Sequence, residues 1–307
     1  MIAVIIVNWN GRSLLDACLG SILSQTPPPE LVFLVDNGSA DGSEEHVRAA
    51  WPTVSVLQAG TNLGFAGGNN LGIRAALAAG ADAVLMLNND AQLLPEALKH
   101  LGSALEQGGP RVGAAAPKIL YRSAPDVIWA AGARFDWWRG IAVDRGLNER
   151  DAGQYDRPEQ LQSATACCLL VRSAAFREVG LLDETFFMYF EDADFSARLG
   201  KAGLRIAYEP RARVLHDVFG SSGGTPDRPS RVALYYSTRN RSRFITRHAP
   251  DPFRRLVAHG FTIASRIIRL CQALAGGRAG DAAAIGRGLR DGYIHPSQGR
   301  TFEPTRE

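Results

Sequence analysis

The chain has 307 residues, 46% of them hydrophobic and 21% charged, the proportions of an ordinary globular protein rather than a disordered one. A formal net charge of +3 is too small to imply nucleic acid as a partner, although basic residues crowd the last third. No stretch of about 20 apolar residues offers a membrane span, and the opening apolar run is too short and lacks the basic flank of a secretory signal. A cytoplasmic protein is therefore expected, with scope for peripheral contact at the inner face of a membrane. The four cysteines, Cys18, Cys167, Cys168 and Cys271, show neither zinc-type spacing nor a disulfide framework, which suits small apolar core residues in a reducing compartment.

In chain order, AVIIVNW is a continuous β-rich run, expected to be buried on both faces. A helix over residues 13–24 follows, with Leu14, Leu15, Cys18, Leu19 and Ile22 on one face, and the prolines at 27–29 end it. LVFLVD is a second buried strand with NGSADGS as its turn. A helix over 44–50 leads to the strand VSVLQ. The Gly-rich NLGFAGGNN precedes a helix running to Ala79, AVLMLNND is the next strand, and 94–107 reads as a helix with Pro95 in its first turn. Alternating strands and helices imply a parallel, doubly wound sheet, which binds ligands beyond the carboxyl ends of its strands. Polar residues gather there: Asn8 and Asn10, Asp36 and Asn37, and Asn88, Asn89 and Asp90. Each group alone could be turn chemistry; three at equivalent ends point to a site.

Residues 114–170 are less periodic and hold Trp129, Trp137 and Trp138, rings that suit either sugar stacking or packing. An aromatic run at 186–190 then meets Glu191, Asp192 and Asp194 at an expected helix start. Acids there could simply satisfy free N–H groups. The aromatic wall, however, would shield a carboxylate from water and raise its basicity, as a base acting on a sugar hydroxyl requires. His216 ends the strand ARVLH and is either structural or a metal ligand. GSSGGTPDRPS reads as a loop. From 253 to 274, apolar residues recur at Phe253, Leu256, Val257, Phe261, Ala264, Ile267, Ile268, Cys271 and Leu274, with Arg254, Arg255, Arg266 and Arg269 largely off that stripe. Such a helix either lies on an anionic membrane surface, docks on the rest of the chain, or pairs in a homodimer.

The turn after the first strand reads NWNGRS, not G-x-G-x-x-G, and no Walker loop, H-E-x-x-H or G-x-S-x-G is present. Asp90, at the end of an apolar strand, is a candidate ligand for Mg2+ or Mn2+. Such a cation needs few protein oxygens when a diphosphate supplies others, and it neutralises a departing nucleoside diphosphate.

VIIVNWNG, CLGSILSQ, VDNGSADGS, NLGFAGGNNLGI, LMLNND and CCLLVRSAAFREVGLLDETFFMYFEDADFSARL, with His216 after them, together resemble the family-two glycosyltransferases of GT-A fold, especially a rhamnosyltransferase-like branch. The resemblance implies an α/β catalytic domain over 1–225, a Rossmann-like, mostly parallel sheet flanked by helices. Its nucleotide-sugar half would span 1–115 and its acceptor half 116–225, with a C-terminal helical extension over 226–307. It casts Asp36 as the reader of the nucleotide base and Asn8, Asn10, Asn62, Gly64, Asn70, Asn88 and Asn89 as nucleotide-sugar contacts. Asp90 and His216 would be metal ligands, and Asp192 the general base. Trp129, Trp137, Trp138, Ala166 and Glu191 are candidates for the acceptor side. The first motif position is Asn88 rather than Asp, a change common in this branch that weakens metal binding in principle, and Ala166 stands where relatives often carry Gly. The implied reaction is inverting transfer of a sugar, rhamnose from dTDP-rhamnose, to a glycan or lipid-linked acceptor in cell-surface polysaccharide synthesis. A UDP-sugar donor is the nearest alternative; a sugar nucleotidyltransferase and a silent sugar-binding protein are the competing classes.

Overall fold

The computed structural model describes residues 1–218 and 229–294. The first half runs β1 (Ile2–Asn8), α1 (Arg12–Leu23), β2 (Leu31–Asp36), α2 (Ser43–Ala50), β3 (Ser55–Gln58), α3 (Gly64–Ala78) and β4 (Ala83–Asn88). β1 pairs in parallel with β2 and β4, and β2 with β3. Ala3, Val4, Ile5 and Ile6 of β1 and Val84, Leu85 and Met86 of β4 are wholly buried. Their lack of polar alternation follows from layers packed on both faces. One layer includes Leu15, Cys18, Leu19 and Ile22 of α1; the other includes Ala66, Ile73 and Ala76 of α3.

The second half runs β5 (Ala91–Leu93), α4 (Ala97–Gln107), β6 (Val112–Tyr121), β7 (Ile128–Ala130), β8 (Ala133–Asp136), β9 (Ile141–Asp144), β10 (Glu159–Leu161), β11 (Cys168–Arg172), α5 (Ser173–Val179), α6 (Glu191–Lys201) and β12 (Arg205–His216). The main sheet has the order β10-β12-β6-β11-β4-β1-β2-β3, with β5 on β12 and β7 on β6. β11 is antiparallel to both of its neighbours, β4 and β6. β8 and β9 form a separate antiparallel hairpin. After the sheet come α7 (Arg231–His248), α8 (Pro252–Ala275) and α9 (Ala279–Tyr293).

Strand register gathers the polar ends. Asn8 lies beside Asp36 and Val7 beside Asn88, so the three polar clusters share the carboxyl edge where the winding direction reverses about β1.

The structure differs from the periodicity reading in three places, each with a physical reason. α3 starts inside the Gly-rich segment because its glycines serve close packing. A Cβ on Gly68 would meet Val7 at 2.6 Å, and one on Gly72 would meet Ile5 at 3.0 Å. α4 starts at Ala97, not at residue 94, because Ala91–Leu93 join the sheet and the Leu94 amide donates to the Arg213 carbonyl. α8 forms, but it docks through Ala258, Thr262, Arg266 and Ala273, which leaves Phe253, Leu256, Ile267, Ile268 and Leu274 facing outward. Small residues make that docking close: a Cβ on Gly140, between β8 and β9, would meet Ile245 of α7 and Ala258 of α8. Cys18, Cys167 and Cys168 are buried core thiols, whereas Cys271 is exposed on α8. The loop expected over 220–230 and the end of the expected extension fall largely outside the described residues.

Gly68→Ala sets two effects against each other. Helix propensity favours Ala by about 1 kcal/mol, while overpacking a buried contact costs about 1–3 kcal/mol. Because Val7 is fixed in the central strand, a net loss of stability is expected in chemical denaturation; a gain would show that α3 is not seated on β1.

Candidate active site

A cavity of about 620 Å³ opens beyond the carboxyl edge of the sheet. Asn88, Asp90, Trp129, Ala166, Glu191, Asp192 and His216 all line it. Residues far apart in sequence therefore meet in one space.

On one wall, Asp90 follows β4 and His216 ends β12. β5 pairs antiparallel with β12, setting His216 opposite Ala91, so the two side chains become neighbours. His216 Nε2 lies 3.1 Å from Asp90 Oδ1, and both side chains are buried. Trp129 packs its ring edge-on to the imidazole at 4.4 Å. Among the described residues the buried His216 Nδ1 and Asn88 Oδ1 have no hydrogen-bond partner. One carboxylate and one imidazole on a cavity wall are a fitting partial donor set for Mg2+ or Mn2+. Among the described residues no third His, Cys, Asp or Glu completes a cage.

On another part of the lining, Asp192 sits in the first turn of α6. Burial raises its carboxyl pKa; N–H groups of Ala193 and Ala166 and the Thr165 hydroxyl act in the opposite direction by hydrogen bonding. The Ala193 amide donates to Oδ1 at 2.7 Å. The buried Glu191 is pushed well above the usual carboxylate range, first by burial and then by Asp192, and its Oε2 is unpartnered. Asp144 at the end of β9, which no sequence motif singles out, also lines the cavity. Burial and the Asp192 charge push it up to about 7. Asp194 plays a different part. It accepts from His248 Nε2 at 2.7 Å and Arg198 Nε at 2.8 Å, tying α6 to α7.

The loop that delivers Asp192 is strained. Phe187, Tyr189 and Phe190 have φ of 65°, 65° and 74°, a region costly for side chains larger than Gly. α7 holds it there. Asn240 Nδ2 lies 2.8 Å from each of the carbonyl oxygens of Phe186, Met188 and Tyr189. Arg239 donates to the carbonyls of Thr185 and Phe186 at 2.8 and 2.9 Å, and its Nε orients the Asn240 carbonyl at 2.8 Å. From the other side, a Cβ on Gly64 would meet the Phe187 carbonyl and ring at 2.5 Å, and the Ala66 amide donates to that carbonyl at 3.1 Å.

The remaining predicted residues occupy the edge beside the cavity or hold its walls. Asn89 Nδ2 donates to Asn8 Oδ1 at 2.8 Å, and Asn8 Nδ2 to Ser39. Asn10 Oδ1 accepts from the Ala40 amide. Asp36 accepts from the Ser39 amide through Oδ2, while its buried Oδ1 has no partner. Asn62 binds the Gly64 amide and Asn37. Asn70 bonds Leu182 through both ends of its amide and donates to Glu184, pinning α3 to the segment before the strained loop. Of the three tryptophans, Trp129 lines the cavity. Trp137 stacks on Phe244 of α7 at 5.6 Å, and the exposed Trp138 meets Phe253 and Arg254 of α8. Two further cavity residues, Arg241 of α7 and Arg266 of α8, carry no sequence motif that marks them as site residues. The legible signal for Arg266 is its i+4 spacing behind Ala258 and Thr262, a small-residue face opposite the apolar stripe.

A parallel half continued by a mixed half in one sheet flanked by helices is the GT-A architecture of glycosyltransferases. Residues 3–180 match the family described as Glycosyl transferase family 2, and the chain belongs to that family. It is similar to the N-acetylglucosaminyl-diphospho-decaprenol L-rhamnosyltransferase of Mycobacterium tuberculosis, 33% identical over 245 residues that cover 74% of this chain and 79% of that protein. The fold is shared with the mannosyltransferase PcManGT from Pyrobaculum calidifontis, solved with GDP-Man and Mn2+ (TM-score 0.59, 14% identity, 97% of this chain and 88% of that one). It is shared too with GalNAc-T7, solved with UDP, GalNAc and Mn2+ (TM-score 0.62, 15% identity, 80% of this chain and 47% of that one). The chain is a glycosyltransferase of the rhamnosyltransferase-like branch, as its motifs imply.

Asn240→Leu takes the Asn240 donor from the Met188 and Tyr189 carbonyls, while the Phe186 carbonyl keeps Arg239. Each buried polar group left unsatisfied costs about 1–3 kcal/mol, so a clear fall in the unfolding midpoint is expected. Well below that midpoint, turnover should drop at least tenfold while nucleotide affinity is kept. Reduced stability with unchanged turnover would mean that the clamp supports the fold without positioning the site.

Proposed function

We propose that the chain transfers a sugar with inversion from a nucleoside-diphosphate donor to a hydroxyl of a lipid-linked diphosphate glycan, in the synthesis of a cell-surface polysaccharide. The observation that carries this reading is the shared cavity: an amide-held Asp192 carboxylate and the Asp90–His216 pair line the same space. Rhamnose from dTDP-rhamnose is the sugar of choice, supported by similarity to a rhamnosyltransferase that acts on a diphospho-decaprenol substrate. The catalytic unit is taken as residues 1–225, with α7, α8 and α9 as an extension that completes its acceptor side.

Asp36 would read the base with its unpartnered Oδ1, and Asn8, Asn10 and Asn89 would keep the carboxyl edge in shape for the nucleotide. Asp90 and His216 would hold Mg2+ or Mn2+, which when bound neutralises charge on the departing diphosphate. Asp192 takes the proton of the acceptor hydroxyl as its oxygen forms the bond to the anomeric carbon. The bond from that carbon to the diphosphate breaks on the opposite face, so the configuration inverts. Burial keeps Asp192 basic enough for this work. Glu191, next to it and pushed toward its protonated form, avoids adding a second full negative charge.

The outward stripe of α8, with Arg254, Arg255 and Arg269 on the same helix, would rest on an anionic membrane surface and bring the site to a lipid-borne acceptor. The helix would lie in the interface, since no described helix is long and apolar enough to cross a membrane.

A screen of donor hydrolysis and transfer tests the sugar: consumption of dTDP-rhamnose is expected, and consumption of a UDP-sugar alone would overturn that assignment. Absence of turnover with every donor would favour a silent sugar-binding protein. Asp192→Asn should lose transfer by a factor of about 100 or more while nucleotide affinity, read by calorimetry, stays; joint loss would make Asp192 a binding residue. Wild-type protein should co-sediment with vesicles containing anionic phosphatidylglycerol, and Leu256→Glu with Ile268→Glu should abolish this. A protein that stays in the supernatant but sediments as a dimer in solution would give the stripe to a second copy instead.

A further inference from the structure

Arg241 of α7 and Arg266 of α8 both line the catalytic cavity, and each is at least nine-tenths buried. Among the described residues neither is paired with a carboxylate. Arg241 donates to the carbonyl of Arg139 at the turn of the β8–β9 hairpin, with Nε at 3.0 Å. Arg266 has its Nε buried without any hydrogen-bond partner. Two guanidinium groups taken from water, facing one cavity and lacking an anion, are costly to leave as they are. The surroundings add repulsion. Burial and like charge push both down to about 10, with Arg139 and Arg269 acting on Arg241, and Arg241 and Arg269 acting on Arg266. Asp136 acts on Arg241 in the opposite sense, as does Tyr293. Both arginines still carry their charge at neutral pH.

We propose that Arg241 and Arg266 form an anion subsite that takes the diphosphate of the acceptor. This rests on the reading of the acceptor as a lipid-linked diphosphate and names the residues that would select it. Guanidinium forks match phosphate oxygens in geometry as well as charge. Two diphosphates enter such a reaction, and position separates them. Asp90 and His216, at the ends of β4 and β12, serve the nucleotide, whereas Arg241 is anchored to the β8–β9 hairpin and Arg266 to the inner face of α8. The outer face of that same helix is the exposed apolar stripe. A diphosphate at the head-group level of a membrane, with its lipid tail turned outward, therefore meets Arg266 across the thickness of one helix.

The test uses the full chain, loaded with saturating Mn2+ and the nucleoside diphosphate released from whichever donor the screen identifies, so that the nucleotide site is filled. Farnesyl diphosphate is then titrated by calorimetry, with farnesol as the neutral control. Binding of the diphosphate at least tenfold tighter than the alcohol is expected. Arg266→Gln and Arg241→Gln should each weaken it at least tenfold with nucleotide affinity unchanged, and Arg266→Lys should restore part of it. Failure of farnesyl diphosphate to bind the loaded protein, or equal binding by the Gln variants, overturns the subsite. A fall in nucleotide affinity in well-folded Gln variants instead assigns the arginines to the donor's diphosphate. If a Gln variant does not fold, the Lys variant decides: weakened diphosphate binding with normal nucleotide binding supports the subsite, and unaltered binding of both overturns it. Transfer to a sugar-diphospho-lipid against a neutral alkyl glycoside is measured in parallel. Wild-type indifference between them defeats the lipid-diphosphate acceptor, whereas the farnesyl diphosphate titration judges the anion site on its own.

Discussion

The arrangement depends on one amide. Asn240, wholly buried on α7, gathers three closely spaced carbonyls of the segment that leads into α6. Three residues of that segment hold left-handed backbone conformations that only surrounding structure can maintain. Hydrogen bonds from Asn240 and Arg239, and the close seat that Gly64 provides, offset that strain. As a result the chain turns sharply enough to bring Glu191 and Asp192 into the cavity at the start of a helix. The helices after the sheet are therefore part of the site's construction. They brace the loop, stack on Trp137, and line the cavity with Arg241 and Arg266.

The electrostatics of the cavity divide it. Asp144, Glu191 and Asp192 are all driven upward by burial, and the first two also by the Asp192 charge. Against this, Asp192 has the N–H groups of Ala193 and Ala166 and the Thr165 hydroxyl working to keep its charge, more support than either neighbour receives. That difference gives Asp192 the most support for its charge of the three, which is what the role of base proposed for it requires. Asp90 is set apart by its bond to His216 and by its place at the end of β4. The arginines of α7 and α8 supply positive charge from outside the sheet.

Much of this is legible in the sequence, and the physics says why. Uninterrupted apolar strands alternating with helices imply a parallel sheet covered on both faces, so the polar residues ending them meet at one edge; Asn8, Asp36 and Asn88 do. The aromatic run before Glu191 and Asp192 announces a shielded carboxylate. The division of labour among glycines is harder to read, because Gly68 signals flexibility in isolation and close packing only once Val7 lies beneath it. α7 is illegible for a stronger reason. Arg239, Asn240, Arg241 and Arg243 look like a solvated face, yet all are buried, and they donate to backbone carbonyls, which carry no sequence signature. α8 is recognisable as amphipathic, but periodicity identifies an apolar face without saying what covers it. Here the small-residue face packs and the apolar one is left outside.

In the proposed reaction the two diphosphates would fall to different residues of one cavity, and Asp192 would work between them. A crystal structure of the full chain with Mn2+ and the nucleoside diphosphate tests this most directly. The expected result is the base against Asp36, the cation in contact with Asp90 and His216 and with the diphosphate, and Arg241 and Arg266 untouched by the nucleotide. A nucleotide whose diphosphate lies on Arg241 and Arg266, with no cation at Asp90, would contradict it.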